Sequence, residues 1–284
     1  MKIPAYYGFW HHLGNWLLKV SSWLVLLFLI LPILVIVPLS FNAEPFFSFT
    51  EGMLTLDPEA YSLRWYREIF NDPKWILAIK NSFFIGILST LLATILGTCA
   101  AVGLARDEMP FRRFITALLL SPMIVPLIIT AAGMFFFYSN LGLAGGYLGV
   151  ILAHAALGTP FVIITVTATL TGFDYSLARA ALNLGATPIR VFFDVIMPLI
   201  RPGVISGALF AFITSFDEVV VILFMAGPQQ RTIPRQMFSG LREQINPSIL
   251  AIATLLILLS IALLVTLELL RRRAERMRGI EIPH

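Results

Sequence analysis

The sequence is poor in charge, cysteine and histidine. Of its 284 residues, 13% are charged and 58% are hydrophobic, with one cysteine and four histidines. Soluble domains carry about 25% charged residues, so this composition excludes a water-soluble globular enzyme and a disordered chain. Cys99 alone cannot form an internal disulfide. The histidines lack the spacing of a metal site, since His11 and His12 are adjacent while His154 and His284 are isolated. We therefore expect no bound metal.

The chain also lacks the motifs of nucleotide and nucleic-acid chemistry. No G-x-x-x-x-G-K-[ST] sequence occurs, so the chain is not expected to hydrolyse ATP itself. The net charge is +4, but the basic residues cluster beside apolar runs. That placement indicates membrane topology rather than a surface that binds nucleic acid.

Six long apolar runs occupy most of the sequence. Each has about 20 residues or more, enough for an α-helix to cross a hydrocarbon core of about 30 Å. The runs cover approximately residues 20–41, 81–105, 114–137, 147–170, 203–225 and 248–267. The sequence therefore predicts an all-α membrane protein with six transmembrane helices.

The basic residues also predict the topology. With both termini inside, thirteen Lys and Arg residues lie on the cytoplasmic side and seven lie outside. The first run lacks a cleavage site, which favours a retained helix over a signal peptide. Residues 1–19 are predicted to form a cytoplasmic or interfacial segment, either as a helix on the membrane surface or as an aromatic belt. Residues 20–270 form the six-helix domain, and residues 271–284 a basic cytoplasmic tail.

The segment 172–203, between the fourth and fifth runs, predicts two short helices joined at a glycine. Asp174 or Ser176 is a candidate cap for the first helix, and Gly185 is suited to the left-handed residue after its end. Thr187 and Pro188 are suited to the start of the second helix. The first helix carries an apolar face, formed by Leu177, Ala180, Ala181 and Leu184.

The second helix repeats this pattern with Ile189, Phe192, Phe193 and Ile196. Arg190 and Asp194 are expected to pair at i, i+4, and Pro198 and Pro202 to end the helix. Two interpretations remain open for the whole segment. Either it packs beneath its own bundle, or it docks into the groove of a soluble partner.

The residues Arg179-Ala180-Ala181-Leu182-Asn183-Leu184-Gly185, followed by Met197-Pro198, resemble the EAA loop of permease subunits of ABC importers. The stretches SLRWYREIFNDPKW and NSFFIGILSTLLATILGTCAAVGLAR are similar to the start of type I importer permeases. The stretch SFDEVVVILFMAGPQQRTIPRQMFSGLREQINPSILAIATLLIL is similar to the C-type permease of spermidine/putrescine importers. The resemblance thus covers nearly the whole chain.

The resemblance implies a type I importer permease in the bacterial inner membrane, with segment 172–203 containing the coupling helix. It implies a second homologous permease, two ATP-binding subunits that hold ATP and Mg²⁺, an extracytoplasmic solute-binding protein and surrounding lipid as partners. The matching positions are expected to contact the ATPase; they are Arg179, Ala180, Ala181, Leu184, Gly185, Ala186 and Pro188. Arg179 replaces the glutamate of the family pattern, so we expect an acidic or neutral groove on the partner.

Asp217 and Glu218 interrupt the fifth run, where an ionised group costs about 2.5–3.5 kcal/mol at mid-membrane. Neighbouring helix residues point about 100° apart, so at most one would face a central pathway. We expect Asp217, with or without Glu218, to line the pathway and attract a cationic ammonium. The alternative is a structural carboxylate that accepts hydrogen bonds from Ser215 or Thr214, or that pairs with a basic residue of the partner permease.

Other polar and small residues in the runs have simpler interpretations. His154 is expected to make an interhelical hydrogen bond, and Gly86, Gly97 and Gly103 to permit close helix packing.

Three other functions are conceivable for a membrane protein of this composition. A secondary carrier or channel would show inverted repeats or discontinuous helices, and an intramembrane enzyme would need a catalytic constellation; the sequence shows neither. An importer of another small solute, such as an amino-acid derivative, an opine or an aminophosphonate, stays open.

Overall fold

The structure is a computed structural model that describes residues 8–106, 108–243 and 247–277. Every regular element within these ranges is helical. The helices are α1 (Phe9–Leu39), α2 (Glu51–Leu54), α3 (Arg64–Asn71), α4 (Pro73–Leu104), α5 (Arg112–Ile124), α6 (Leu127–Asn140), α7 (Tyr147–Leu170), α8 (Tyr175–Asn183), α9 (Pro188–Val191), α10 (Met197–Asp217), α11 (Val220–Met225), α12 (Ile233–Glu243) and α13 (Ser248–Met277). A π-helical turn, Phe192–Ile196, joins α9 to α10.

Five helical segments are long and apolar enough to cross a membrane, and the bent pair α5–α6 can supply a sixth span. The predicted all-α membrane fold is thereby confirmed, with five to six apolar helices in the part of the chain that the structure describes. The first of these helices begins at Phe9, so no break occurs at the predicted boundary near residue 20. The assignment of residues 1–19 to the membrane surface stays a prediction, and residues 1–7 and 278–284 lie outside the described ranges.

The chain divides into two compact units. One unit comprises residues 1–70 and 244–263 and contains a small cluster of Leu39, Met53 and Leu250. In this unit the segment after α1 is fixed by the Trp65 indole, whose Nε1–H donates to the backbone oxygen of Asn42 at 2.7 Å. The other unit comprises residues 71–243 and 264–284, and it contains the segments with the predicted functional residues.

In the second unit, α4, α7 and α10 pack closely along small residues. Ala93, Ala155 and Ala211 are almost fully buried in one shared cluster. A Cβ added at Gly97 would lie 2.6 Å from the Val162 Cβ, so only glycine permits this crossing of α4 and α7. The expected packing role is confirmed for Gly97 but not for Gly103, where an added Cβ meets no atom within 4 Å.

The sequence predicted that the third apolar run forms one straight span, and this prediction is wrong. The run forms α5 and α6, which meet at 105°. The break lies at Val125, whose backbone is extended with ψ 135°. The physical reason is Pro126, because a proline disfavours the α conformation in the residue before it.

The sequence predicted that the second helix of segment 172–203 ends at Pro198 and Pro202, and this prediction is also wrong. The chain stays helical from Pro188 through both prolines to Asp217. A proline ring clashes with the carbonyl four residues earlier, which is Asp194 for Pro198. Asp194 lies in the π-turn, whose wider winding moves that carbonyl away from the ring. The predicted span beginning near residue 203 is therefore too short at its start.

Candidate functional site

Helix α8 begins at a side-chain cap, as the sequence predicted. The Asp174 carboxylate accepts the backbone N–H of Ser176 at 2.8 Å and its hydroxyl at 2.7 Å. These hydrogen bonds favour the charged carboxylate, with a smaller contribution from Arg179, and they lower the pKa of Asp174 below its usual value. Asp174, rather than Ser176, is thus the cap.

The turn after α8 has the predicted glycine geometry. Gly185 adopts φ +87°, a left-handed conformation that glycine enters without strain. The backbone N–H of Gly185 donates to Leu182 at 2.9 Å, and that of Ala186 donates to Ala181 at 3.1 Å. These bonds satisfy carbonyls at the end of α8 and direct the chain into α9.

Helix α9 begins with the predicted pair of residues. The Thr187 hydroxyl oxygen accepts the backbone N–H of Arg190 at 3.4 Å, and Pro188 occupies the first turn. The expected pair of Arg190 and Asp194 also forms, with 3.3 Å between the guanidinium Nε and the carboxylate Oδ2.

The apolar residues around this turn are exposed. Leu184, Ile189 and Phe193 have 89%, 73% and 60% of their surfaces exposed. The segment is instead anchored by Ala178 and Val191, which are buried. Packing beneath the bundle would bury the large apolar side chains, so this chain leaves them available to another molecule.

The predicted contact residues on α8 surround this exposed patch. Arg179 and Ala180 are exposed, and Ala181 is half-buried. The apolar face predicted from periodicity is thus present but not covered by this chain. Leu184, Ile189 and Phe193 together with Ala180 and Ala181 are called the turn patch below.

Asp217 and Glu218 have different environments, but not because of the angle between neighbouring helix residues. Helix α10 ends at Asp217, and Glu218 has an extended backbone with ψ 121°, so the fifth apolar run is not one helix to residue 225 as the sequence predicted. Asp217 is the last residue of α10 and is exposed. Glu218 is buried, and its Oε1 accepts the backbone N–H of Val221 at 2.9 Å. Glu218 thereby caps α11. Neither Glu218 nor Val219 donates its backbone N–H to an α10 carbonyl in the described part of the chain.

Ser215 is hydrogen-bonded to His154, not to either carboxylate. The distance from the Ser215 Oγ to the His154 Nδ1 is 2.8 Å, and both residues are buried between α7 and α10. The expected interhelical hydrogen bond of His154 is thus confirmed. It joins α7 to α10 two residues before Asp217.

The sequence did not reveal a set of hydrogen bonds that fixes the segment between α11 and α12. The Asn81 Nδ2 donates to the backbone oxygens of Gln229 and Arg231 at 2.7 and 2.8 Å. The Ser82 hydroxyl oxygen accepts the backbone N–H of Ile233 at 2.9 Å. Two adjacent polar residues at the start of an apolar run were the available signal, but their partners lie about 150 positions away.

Arg235 strengthens the same region from α12. Its Nη1 donates to the backbone oxygens of Ala226 and Gly227, both at 2.9 Å, just beyond the end of α11. Partial burial, and then the neighbouring charge of Arg231, lower the pKa of the Arg235 guanidinium. The segment between α11 and α12 is therefore hydrogen-bonded to both α4 and α12.

No group of three or more His, Cys, Asp and Glu side chains suited to a metal ion occurs in residues 8–106, 108–243 and 247–277.

The fold is shared with solved importer structures. The chain of a bacterial ABC transporter that imports the acidic polysaccharide alginate superposes with a TM-score of 0.72, covering 93% of this chain and 99% of that one at 16% identity. At this identity the similarity concerns the fold alone.

Sequence relatives are closer. The spermidine/putrescine transport system permease protein PotC of Haemophilus influenzae is 32% identical over 246 residues, which cover 87% of this chain and 93% of the relative. The putrescine transport system permease protein PotI of Escherichia coli K12 is 35% identical over 241 residues, which cover 81% of this chain and 82% of the relative. The sequence model for inner membrane components of binding-protein-dependent transport systems matches residues 93–276. This chain belongs to that family of multi-pass inner membrane transport components.

Proposed function

We propose that this chain is a permease subunit of an ATP-driven importer of polyamines such as putrescine and spermidine. The observation that carries the proposal is the similarity to PotC and PotI over more than four-fifths of the chain. The chain would form half of a translocation pathway, with a second homologous permease forming the other half. A solute-binding protein would deliver the polyamine from outside.

The turn patch is the proposed docking surface for an ATP-binding subunit. A short capped helix followed by a rigid glycine turn keeps Leu184 and Ile189 projecting without loss of chain entropy on binding. Burial of a leucine side chain contributes about 1.5–3 kcal/mol. Two such subunits would bind ATP and Mg²⁺, one beneath each permease, and this chain would perform no covalent chemistry.

Arg179 sets the charge of that docking surface. The side chain is exposed on α8, beside the patch, at the position where the family pattern has glutamate. We expect the partner groove to present acidic or neutral groups there. Arg179→Glu should weaken assembly with the ATPase more than Arg179→Gln, measured by copurification, while an arginine packed against Arg179 in a complex would contradict the idea.

A continuous helix supports a lever mechanism. The helical segment Pro188–Asp217 has 30 residues, or about 45 Å at 1.5 Å per residue. It joins the turn patch at one end to Asp217 at the other. A displacement of the patch by closure of the ATPase dimer would therefore move the Asp217 end as part of one rigid body, in an alternating-access cycle.

Asp217 is the proposed attraction site for the polyamine. Its exposed carboxylate stands at the carboxyl end of α10, where the helix dipole adds partial negative charge and the last carbonyls lack helical donors. An ammonium group would exchange part of its hydration for this carboxylate. Glu218 is assigned a supporting role, because its carboxylate already caps α11.

In the proposed topology both termini are cytoplasmic, as the distribution of basic residues predicts. The turn patch then faces the cytoplasm, and the segment between α11 and α12 faces outward. Residues 271–284 would form the basic tail, and the first part of it, residues 271–277, continues α13.

The test is ATPase stimulation in a reconstituted complex of this chain with its partner subunits in lipid. We expect the ATPase rate to rise when the solute-binding protein is added with bound putrescine or spermidine. Asp217→Asn should lower the stimulated transport rate at least tenfold, whereas Glu44→Gln, which removes an exposed acid elsewhere, should not. Stimulation by another solute alone would replace the polyamine with a different cargo, such as an amino-acid derivative, an opine or an aminophosphonate. Unchanged transport in Asp217→Asn would assign that residue a structural role.

A further inference from the structure

An open cavity of about 600 Å³ lies at the end of α4, at the same end of the bundle as the turn patch. Its apolar lining comes from Cys99 and Val102 of α4, from Met109 and from Phe192 of the π-turn. These side chains give the cavity a largely apolar interior. None of them belongs to the turn patch or to the region of Asp217.

Among the residues that the structure describes, the rim of the cavity carries one charge of each sign. Arg106 and Glu108 both line it, in the short segment between α4 and α5. The two side chains are not within ion-pair distance, and neither makes a hydrogen bond within residues 8–106, 108–243 and 247–277. Separated opposite charges beside an apolar cavity complement a ligand with a dipolar head and an apolar tail.

The position of the cavity suits a lipid. Helix α4 is an apolar span that ends at Leu104, so the cavity lies where hydrocarbon gives way to headgroups. Phe111 and Phe114, close by along the chain, are 80% and 69% exposed. Exposed aromatic residues next to arginines are typical of the membrane interface. A free phosphate would use the rim but leave the apolar walls uncovered.

We propose that this cavity binds a phospholipid whose headgroup carries both a phosphate and a protonated amine, as in phosphatidylethanolamine. Arg106 binds the phosphate, and Glu108 accepts a hydrogen bond from the ammonium. An acyl chain packs against Val102, Met109 and Phe192. Phosphatidylcholine lacks an N–H donor for Glu108, and phosphatidylglycerol lacks the positive charge, so both fit less well.

The lipid would contact the proposed lever directly. Phe192 is the first residue of the π-turn that joins α9 to α10. A lipid packed on this side chain links the composition of the adjacent leaflet to movement of the Pro188–Asp217 helix. This consequence rests on the proposed function, whereas lipid binding at the cavity does not.

The chain contains one cysteine, and it reports on the cavity. Cys99 is a free, exposed thiol in the cavity wall, so a bound acyl chain should shield it from a maleimide. We would reconstitute the full chain, with its copurifying subunits, in phosphatidylcholine bilayers without or with added phosphatidylethanolamine or phosphatidylglycerol. Mass spectrometry of the Cys99 peptide gives the labelling rate.

We expect phosphatidylethanolamine to slow labelling at least threefold relative to the other two lipids. Arg106→Gln combined with Glu108→Gln should remove this difference, whereas Arg113→Gln, just outside the cavity, should preserve it. Gly103→Leu is a second variant, since an added side chain there meets open space; it should slow labelling in every lipid.

Equal rates in the three lipids would overturn the proposal, and so would a phosphatidylethanolamine effect that persists in the rim variant. Stronger protection by phosphatidylglycerol would overturn the role of Glu108. None of these outcomes affects the measurement of ATPase stimulation by the solute-binding protein. Failure of the lipid proposal is therefore distinguishable from failure of the proposed function.

Discussion

The crossing of α4 and α7 at Gly97 provides a quantitative test of the packing in the second unit. In Gly97→Ala, the new Cβ would lie 2.6 Å from the Val162 Cβ, 2.9 Å from its Cγ1 and 3.1 Å from the backbone oxygen of Thr159. Favourable carbon–carbon contacts lie at about 3.5–4.0 Å. Val162 is fully buried, and the Thr159 carbonyl belongs to the helix backbone. The clash can be relieved only by separating the two helices.

The expected cost follows from two opposing terms. Overpacking of a well-filled core costs about 1–3 kcal/mol, and replacing a helical glycine by alanine gains up to about 1 kcal/mol. The contacts to Val162 place the first term at its upper end, so we expect a net loss of about 1–2 kcal/mol. That loss corresponds to a ratio of folded to unfolded protein about 5–30 times lower.

Unfolding by SDS in mixed micelles, with Gly103→Ala as the matched control in the same helix, measures this loss. An added Cβ at Gly103 meets no atom within 4 Å, so that variant should be neutral or slightly more stable. Gly158→Ala, with its Cβ 3.0 Å from the Ala211 Cβ, should fall between the two. The double variant Gly97→Ala/Val162→Ala should recover part of the loss. Equal stability of Gly97→Ala and Gly103→Ala would refute the reasoning.

Three further predictions concern local elements. Gly185→Ala should destabilise the turn by about 1–2 kcal/mol, because alanine resists a left-handed φ; faster hydrogen exchange across α8 would show this, and unchanged exchange would contradict it. The lowered pKa of Asp174 means that its charge stabilises the start of α8 above the unfolded pKa, and that this contribution is lost as pH falls through the folded pKa. Hydrogen exchange of the Ser176 amide should therefore be slower in wild type than in Asp174→Asn at pH 7, and the difference should vanish only once the pH is below the lowered folded pKa; a constant difference would exclude the charge as its cause. Ser215→Ala leaves the buried Nδ1 of His154 without its partner and should lower stability by about 1–3 kcal/mol, whereas the double variant with His154→Leu should lose less in the same unfolding assay.

Local chemistry made segment 172–203 predictable. The cap at Asp174, the left-handed Gly185 and the start of α9 at Thr187 each depend on hydrogen bonds between residues no more than five positions apart. Such short-range preferences act before tertiary packing. The end of the second helix was not predictable in this way, because the π-turn that accommodates Pro198 forms within a packed bundle.

The sequence by itself determined that this is an all-α membrane protein with six apolar spans, because the length and polarity of each run suffice for that conclusion. It also determined the capped turn, whose residues lie close together in the chain. The tertiary structure alone decided which of these residues are covered. It left the turn patch exposed, assigned Glu218 to α11 and Ser215 to His154, and brought Asn81 and Ser82 to the segment between α11 and α12. These contacts join residues far apart in the chain, and their formation depends on helix packing, which periodicity within one run does not encode.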